Sequence, residues 1–211
     1  MDISNRSLAF LLVVAIVVSL GGTMISLNRL NQLGFTGMAS SNTPQGTANL
    51  SINSSLVLTF LTNNVDFGVG YTNDSGAGVE QCIIDTNGTN PSGDCVGFNS
   101  NVQPFELRND GNKDLTVQIS SDKNAASFLG GTSPVFQYFI EDNTSESGSC
   151  TTPSPTSWTN VPTTGTDMCG STGFNYEDTT DQLLIHVKVS IPQDTIPNTK
   201  TATITVSGSD V

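Results

Sequence analysis

Positive charge is scarce in this chain: 7 Lys and Arg stand against 19 Asp and Glu, for a net charge of −12 over 211 residues. A nucleic-acid partner is therefore not expected, because phosphates call for a basic surface. His186 is the single histidine and no G-x-S-x-G elbow occurs, so nucleophile–His–acid catalysis has little to draw on. The cysteines form no C-x-x-C pair and have no neighbouring histidine, which argues against zinc. No internal repeat is visible by inspection, and no sortase motif or second hydrophobic tail follows the last strand-like segment. Between Arg6 and Arg29 charge is missing altogether.

That uncharged stretch, Leu8–Leu27 (LAFLLVVAIVVSLGGTMISL), dominates the chain. At about 1.5 Å of rise per residue its helix reaches ~30 Å, the thickness of a bilayer's hydrocarbon core. Helical patterning continues through Leu30 and Leu33 to Gly34, a natural C-terminal breaker, so residues 1–34 are expected as one hydrophobic helix. An uncleaved anchor, a cleaved signal and a pilin-type helix all fit the hydrophobicity. The n-region MDISNR offsets Arg6 with Asp2, the apolar core outruns a secretory signal, and Thr36-Gly37-Met38-Ala39 is a poor cleavage site. An uncleaved membrane helix is the expectation. Ala15, Ser19, Gly22 and Ser26 fall on one helical face, and small residues let helices approach closely in lipid. The expected partners are the bilayer or like helices, in a homo-oligomer or a surface assembly.

Residues 35–46 are small, polar and aperiodic and read as a flexible spacer. Beyond them lie all the cysteines, Cys82, Cys95, Cys150 and Cys169, an even number that points to disulfides and an oxidising compartment. Three pairings exist; the local ones, Cys82–Cys95 and Cys150–Cys169, are favoured because each encloses loop-like sequence that the core would not hold. Five glycosylation sequons, at Asn49, Asn53, Asn73, Asn87 and Asn143, share that side of the helix. Together these place the N-terminus in the cytoplasm or membrane and residues 35–211 outside the cell.

From residue 47 to 211 apolar residues alternate with polar ones, the period of half-buried strands. Leu50 and Ile52, then residues 56–61, then Val65, Phe67, Val69 and Tyr71 follow this pattern. Phe105-Glu-Leu-Arg-Asn-Asp-Gly-Asn-Lys-Asp-Leu-Thr-Val-Gln-Ile119 predicts a β-hairpin turning at Asn109–Asn112. Asp110-x-Asn112-x-Asp114 also opens like a calcium loop, but Leu115 and Ser121 stand where its Gly and Glu belong. Ser121 is expected to cap one helical turn closed by Gly130-Gly131. Val135–Ile140 reads as a central strand. Leu183, Ile185, Val187, Val189 and Ile191 share one face of the best strand, leaving His186, Lys188 and Ser190 as its polar surface. Nine or ten such strands predict a mainly β protein, an antiparallel sandwich in one domain behind the hydrophobic helix.

FELRNDGNKDLTVQIS and IPQDTIPNTKTATITV resemble the Ig-like sandwich modules of archaeal cell-surface proteins. In those modules N-x-G-N precedes a strand of alternating Leu and Val, and an IP-x-D-x-x-P-G-T segment leads to a closing ITV strand. Asn198 stands here in place of the usual Gly. The resemblance implies an Ig-like fold with a structural or adhesive surface role, and no catalytic residue. A hydrophobic N-terminal helix before a β-sandwich also resembles archaeal type IV pilins and archaellins. Those carry a basic n-region ending in a small residue, where this chain has Asn5-Arg6-Ser7.

No catalytic residue, metal site or cofactor is expected. Glu141, Asp142 and Glu146, and again Glu177, Asp178 and Asp181, cluster in loop-like sequence and read as solvated charge, with loosely bound Ca²⁺ as the alternative. The expectation is a non-enzymatic cell-surface structural or adhesion protein. The alternatives are a filament subunit with its N-terminal helix in the core, and a secreted glycan-binding module.

Overall fold

A computed structural model describes residues 5–32, 49–74, 81–88, 91–170 and 173–211, with side chains of the first helix described as far as Ser26. The chain divides into two units, Met1–Ser51 and Ile52–Val211.

The first unit contains α1, Asn5–Gln32. Its run of Val and Ile, from Val13 to Val18, is stiff at χ1 and a weak helix former in water. In hydrocarbon, however, a helix is the local way to satisfy every backbone polar group, so the same sequence is well suited to one. Thr23 fits this rule, its hydroxyl bonding back to the carbonyls of Ser19 and Leu20 at 3.1 and 2.9 Å. Asn5–Ser26, with a mean hydropathy of 2.6, is long and apolar enough to cross a membrane, as an anchor does, and a signal sequence has the same character. The stop at Gly34, the cleavage-like Thr36–Ala39 and the spacer 35–46 lie outside the described residues.

The second unit is an antiparallel β-sandwich, as the alternation predicts. Its strands are β1 (Leu58–Thr62), β2 (Tyr71–Thr72), β3 (Gln81–Asp85), β4 (Ser92–Gly93), β5 (Cys95–Val96), β6 (Phe105–Asn109), β7 (Leu115–Ser121), β8 (Val135–Asp142), β9 (Thr159–Asn160), β10 (Thr166–Asp167), β11 (Gln182–Pro192) and β12 (Ile204–Asp210). One short helix, α2 (Ala125–Phe128), follows β7. The larger sheet is built on β11. One of its edges pairs with β8 along 183–190; the other is shared, with β6 on 182–185 and β3 on 188–192. Strand β1 extends the sheet beyond β6, β4 beyond β3, and β9 beyond β8. The smaller sheet has the order β10-β7-β12, and β2 pairs with β5 separately. Leu115, Val117 and Ile119 of the small sheet meet Ile84, Leu107, Tyr138, Ile140, Leu183, Ile185 and Val189 of the large one in a single core.

Four local expectations fail. The hairpin over 105–119 does not form: β6 pairs with β1 and β11, whereas β7 pairs with β10 and β12, so the Asn109–Asn112 turn carries the chain across the core from one sheet to the other. Both arrangements point Leu107 and Leu115 inward, which is why alternation cannot separate them. Asn109, buried, holds the crossing by donating to the carbonyls of Lys113 and Phe174 and accepting from the Gly111 N–H. Leu50 and Ile52 form no strand and are exposed. The chain after them is bound instead to that same turn, Asn112 accepting from Ser55 N at 2.7 Å and donating to Asn53 O at 3.0 Å. In 65–71 an Asx turn, Asp66 Oδ1 accepting from Gly68 N at 2.8 Å, breaks the extended run and leaves Val69 92% exposed while Phe67 packs inward. Asn124, not Ser121, caps α2, in a reciprocal box with Ser127.

Candidate functional site

The shared edge of β11 produces the most distinctive site in the sandwich. Between the start of β6, opposite Ile185, and the end of β3, opposite Lys188, Val187 has no strand partner on that side among the described residues. Thr86 closes the gap, its N–H donating to Val187 O at 3.0 Å and its Oγ1 accepting from Val187 N at 2.9 Å. His186 sits at this seam and is not the surface residue its polar neighbours imply; it is only 4% exposed. The polar face of β11 is covered by the segment before β9. Phe139, the cross-strand partner of His186, stacks on the imidazole, Trp158 stands edge-on to Phe139, and Lys188 Nζ lies 4.7 Å from the Trp158 ring. Burial holds the Lys188 ammonium below its usual pKa. Nε2 of His186 is 2.9 Å from Glu141 Oε1, and Nδ1 is 3.2 Å from Thr86 O and 3.4 Å from Thr86 Oγ1. Both ring nitrogens are thus engaged by protein groups, which leaves none directed at a bound molecule.

Beside the seam lies a cleft of about 430 Å³, with His186 and Leu184 in its floor. Its walls come from the chain on either side: Thr86 and Asn87 after β3, Asn101 and Gln103 before β6, Glu106 of β6, and Asn143 after β8. Asn101 takes φ = 56°, a left-handed conformation that asparagine tolerates better than most residues. Asn87, Asn101, Gln103, Asn143, Thr62, Thr86 and Thr144 share the lining with Val102, Pro104 and Leu184, so polar and apolar surface are mixed in it.

The two acidic clusters do not behave as uniform solvated charge. Asp181 is 6% exposed, and Glu146 comes over from the other cluster to meet it, accepting from Asp181 N at 3.1 Å and from Gln182 Nε2 at 2.5 Å. Burial, then the hydrogen bond with Glu146 and its charge, push the Asp181 carboxyl up to about 6, against the pull of Arg108. Two of the calcium-like triplet are also spent on structure: Arg108 binds Asp110 at 2.6 Å, and Asn112 ties down 53–55. Among the described residues no three His, Cys, Asp or Glu side chains converge as a metal would need.

The disulfides are Cys82–Cys95 and Cys150–Cys169, the local pairs expected. The first joins β3 to β5; the second joins the chain after β8 to the chain after β10, deep in the core. Of the sequons, Asn49, Asn53, Asn73 and Asn87 are exposed. Asn143 is half-buried, and its Nδ2 is already consumed, donating to Glu106 Oε1 at 2.7 Å and Gln182 Oε1 at 3.0 Å. On α1 the face of Ala15, Ser19, Gly22 and Ser26 is exposed, and a Cβ added at Gly22 would meet nothing within 4 Å. Sequence reasoning missed the burial of His186 and Asp181 and the cleft residues Asn101 and Gln103. No local signal marks them, since each depends on chain that arrives from elsewhere in the fold.

The chain matches no family model, no curated protein and no solved structure.

Proposed function

We propose that this is a non-enzymatic structural or adhesion protein of the cell envelope, held by α1 with the acidic sandwich outside, of the archaeal Ig-like surface kind that its two motifs resemble. The observation that carries the reading is the uncharged, apolar Asn5–Ser26 joined to a domain whose cysteines are all in disulfides. Both ring nitrogens of His186 are occupied, which favours a scaffold over a catalyst. Four exposed sequons suit a glycosylated exterior.

A filament subunit, with Leu8–Leu27 packed among like helices, is the second reading. It is favoured by the open small-residue face of α1. A secreted glycan-binding module is the third, favoured by the amide-lined cleft. The N-terminal residue of material from native cells separates them. A start at Met1 or Asp2 supports the anchor, one at Ser7 or Leu8 the filament subunit, and one near Ser40 the secreted domain.

A further inference from the structure

Asp181 stands immediately before β11 with its Oδ1 enclosed and, among the described residues, reached by no donor. The groups facing it are Glu146 from the loop after β8, Arg108 from β6 and Asp178 from its own segment. Arg108 is engaged by Asp110, and Asp178 adds negative charge. The buried Asp181 carboxylate and the half-buried Glu146 carboxylate repel when both are charged, whereas one proton between them removes the repulsion and gives the orphaned oxygen a role. Glu146 is also the side chain that fastens the loop after β8 to the start of β11, through Asp181 N and Gln182 Nε2. From Gln182 the contacts run on: its Oε1 accepts from Asn143, and Asn143 donates to Glu106, both of them walls of the cleft.

We propose that Asp181 and Glu146 share one proton, and that this proton latches the 143–149 loop, and with it the Asn143 wall of the cleft, to the start of β11. When the proton leaves, repulsion between the carboxylates drives Glu146 off Asp181 N and Gln182, and the wall loosens. A carboxyl raised from about 4 in the unfolded chain to about 6 in the fold stabilises fully below about 4, and that stabilisation is lost as pH climbs through about 6. The latch is therefore closed in acid and released at neutral pH, the reverse of a salt-bridged carboxylate. It operates whether the protein is an anchor or a filament subunit.

Amide hydrogen exchange on the full chain in detergent, at pH 5 and pH 8 with labelling times matched for intrinsic exchange rate, tests this. Peptides spanning 143–149 should lose about tenfold or more of their protection at pH 8. Asp181→Asn, whose amide donates to Glu146 without titrating, should hold the same protection at both pH values; Asp178→Asn should keep the wild-type pH dependence. Glu146→Gln removes the repulsion from the other side and should also flatten it, so the test survives a variant that fails to fold. Wild-type protection that ignores pH, or an unchanged pH dependence in Asp181→Asn or Glu146→Gln, would overturn the proposal.

Discussion

His186 lies flat against Phe139, ring centroids 4.6 Å apart and planes 8° from parallel, on the face of β11 that points away from the core. That pair turns a strand's nominal outer surface into a second, smaller interior, closed by Trp158. His186→Ala would delete the stack, leave Thr86 and Glu141 without their ring partner, and open a void. It should cost about 2 to 3 kcal/mol in denaturant unfolding. Loss of a chemical activity with stability intact would instead mark His186 as functional and sink the non-enzyme reading.

On the core side of the same strand, Val187 is 3% exposed. Val187→Asp would bury a carboxylate with no partner and should cost at least about 3 kcal/mol, read as a lowered midpoint in denaturant unfolding. A variant with a near-native midpoint would mean that the inward register of β11 is wrong.

The disulfides close loops of sequence separation 13 and 19. Each should contribute about 3 kcal/mol by restricting the unfolded chain. Non-reducing peptide maps should recover Cys82 with Cys95 and Cys150 with Cys169, and the Cys150→Ser/Cys169→Ser double variant should unfold at clearly lower denaturant. A recovered Cys95–Cys150 peptide would contradict the fold.

Glycosylation replaces a hydrogen on the asparagine Nδ2, and at Asn143 both are spent on Glu106 and Gln182. Glycopeptide mass spectrometry of native material should find sugar among Asn49, Asn53, Asn73 and Asn87 and none at Asn143. Asn143→Ala should cost about 1 to 2 kcal/mol by leaving those two acceptors unsatisfied. A well-occupied Asn143 in stable, folded protein would show that the wall of the cleft is arranged otherwise.

The small-residue face of α1 separates an anchor from a filament core. Gly22→Leu should leave surface display intact yet weaken self-association, read by cross-linking in membranes, because it holds neighbouring backbones apart. Gly22→Ala is the control, adding little bulk while improving helix propensity by about 1 kcal/mol. Unchanged cross-linking in Gly22→Leu would return the face to chance; loss of surface filaments would put the filament reading first.

The elements themselves were legible where one physical signal decides them. The uncharged run from Leu8 announces α1, and strict alternation in 183–189 and 115–119 announces β11 and β7, because one face of each strand must be apolar. Local cysteine spacing also led to the right pairs. Which strands become neighbours was not legible: Asn109–Asn112 is good turn sequence for a hairpin and equally good for a crossing between sheets. The candidate site was hidden for the same reason. His186, Asp181 and Asn101 look like surface residues until the Trp158 segment, the Glu146 loop and the split edge of β11 are in place.

That split edge also sets a timetable for folding. β3, β6 and β8 all dock on β11, which lies after every one of them in the chain. Until β11 has been made, the large sheet has no spine, and the early strands have only short or distant partners. Assembly dominated by such non-local pairings is slow, on the scale of milliseconds to seconds. The architecture of the sandwich sets completion of the large sheet after the synthesis of β11, however early its other strands are made.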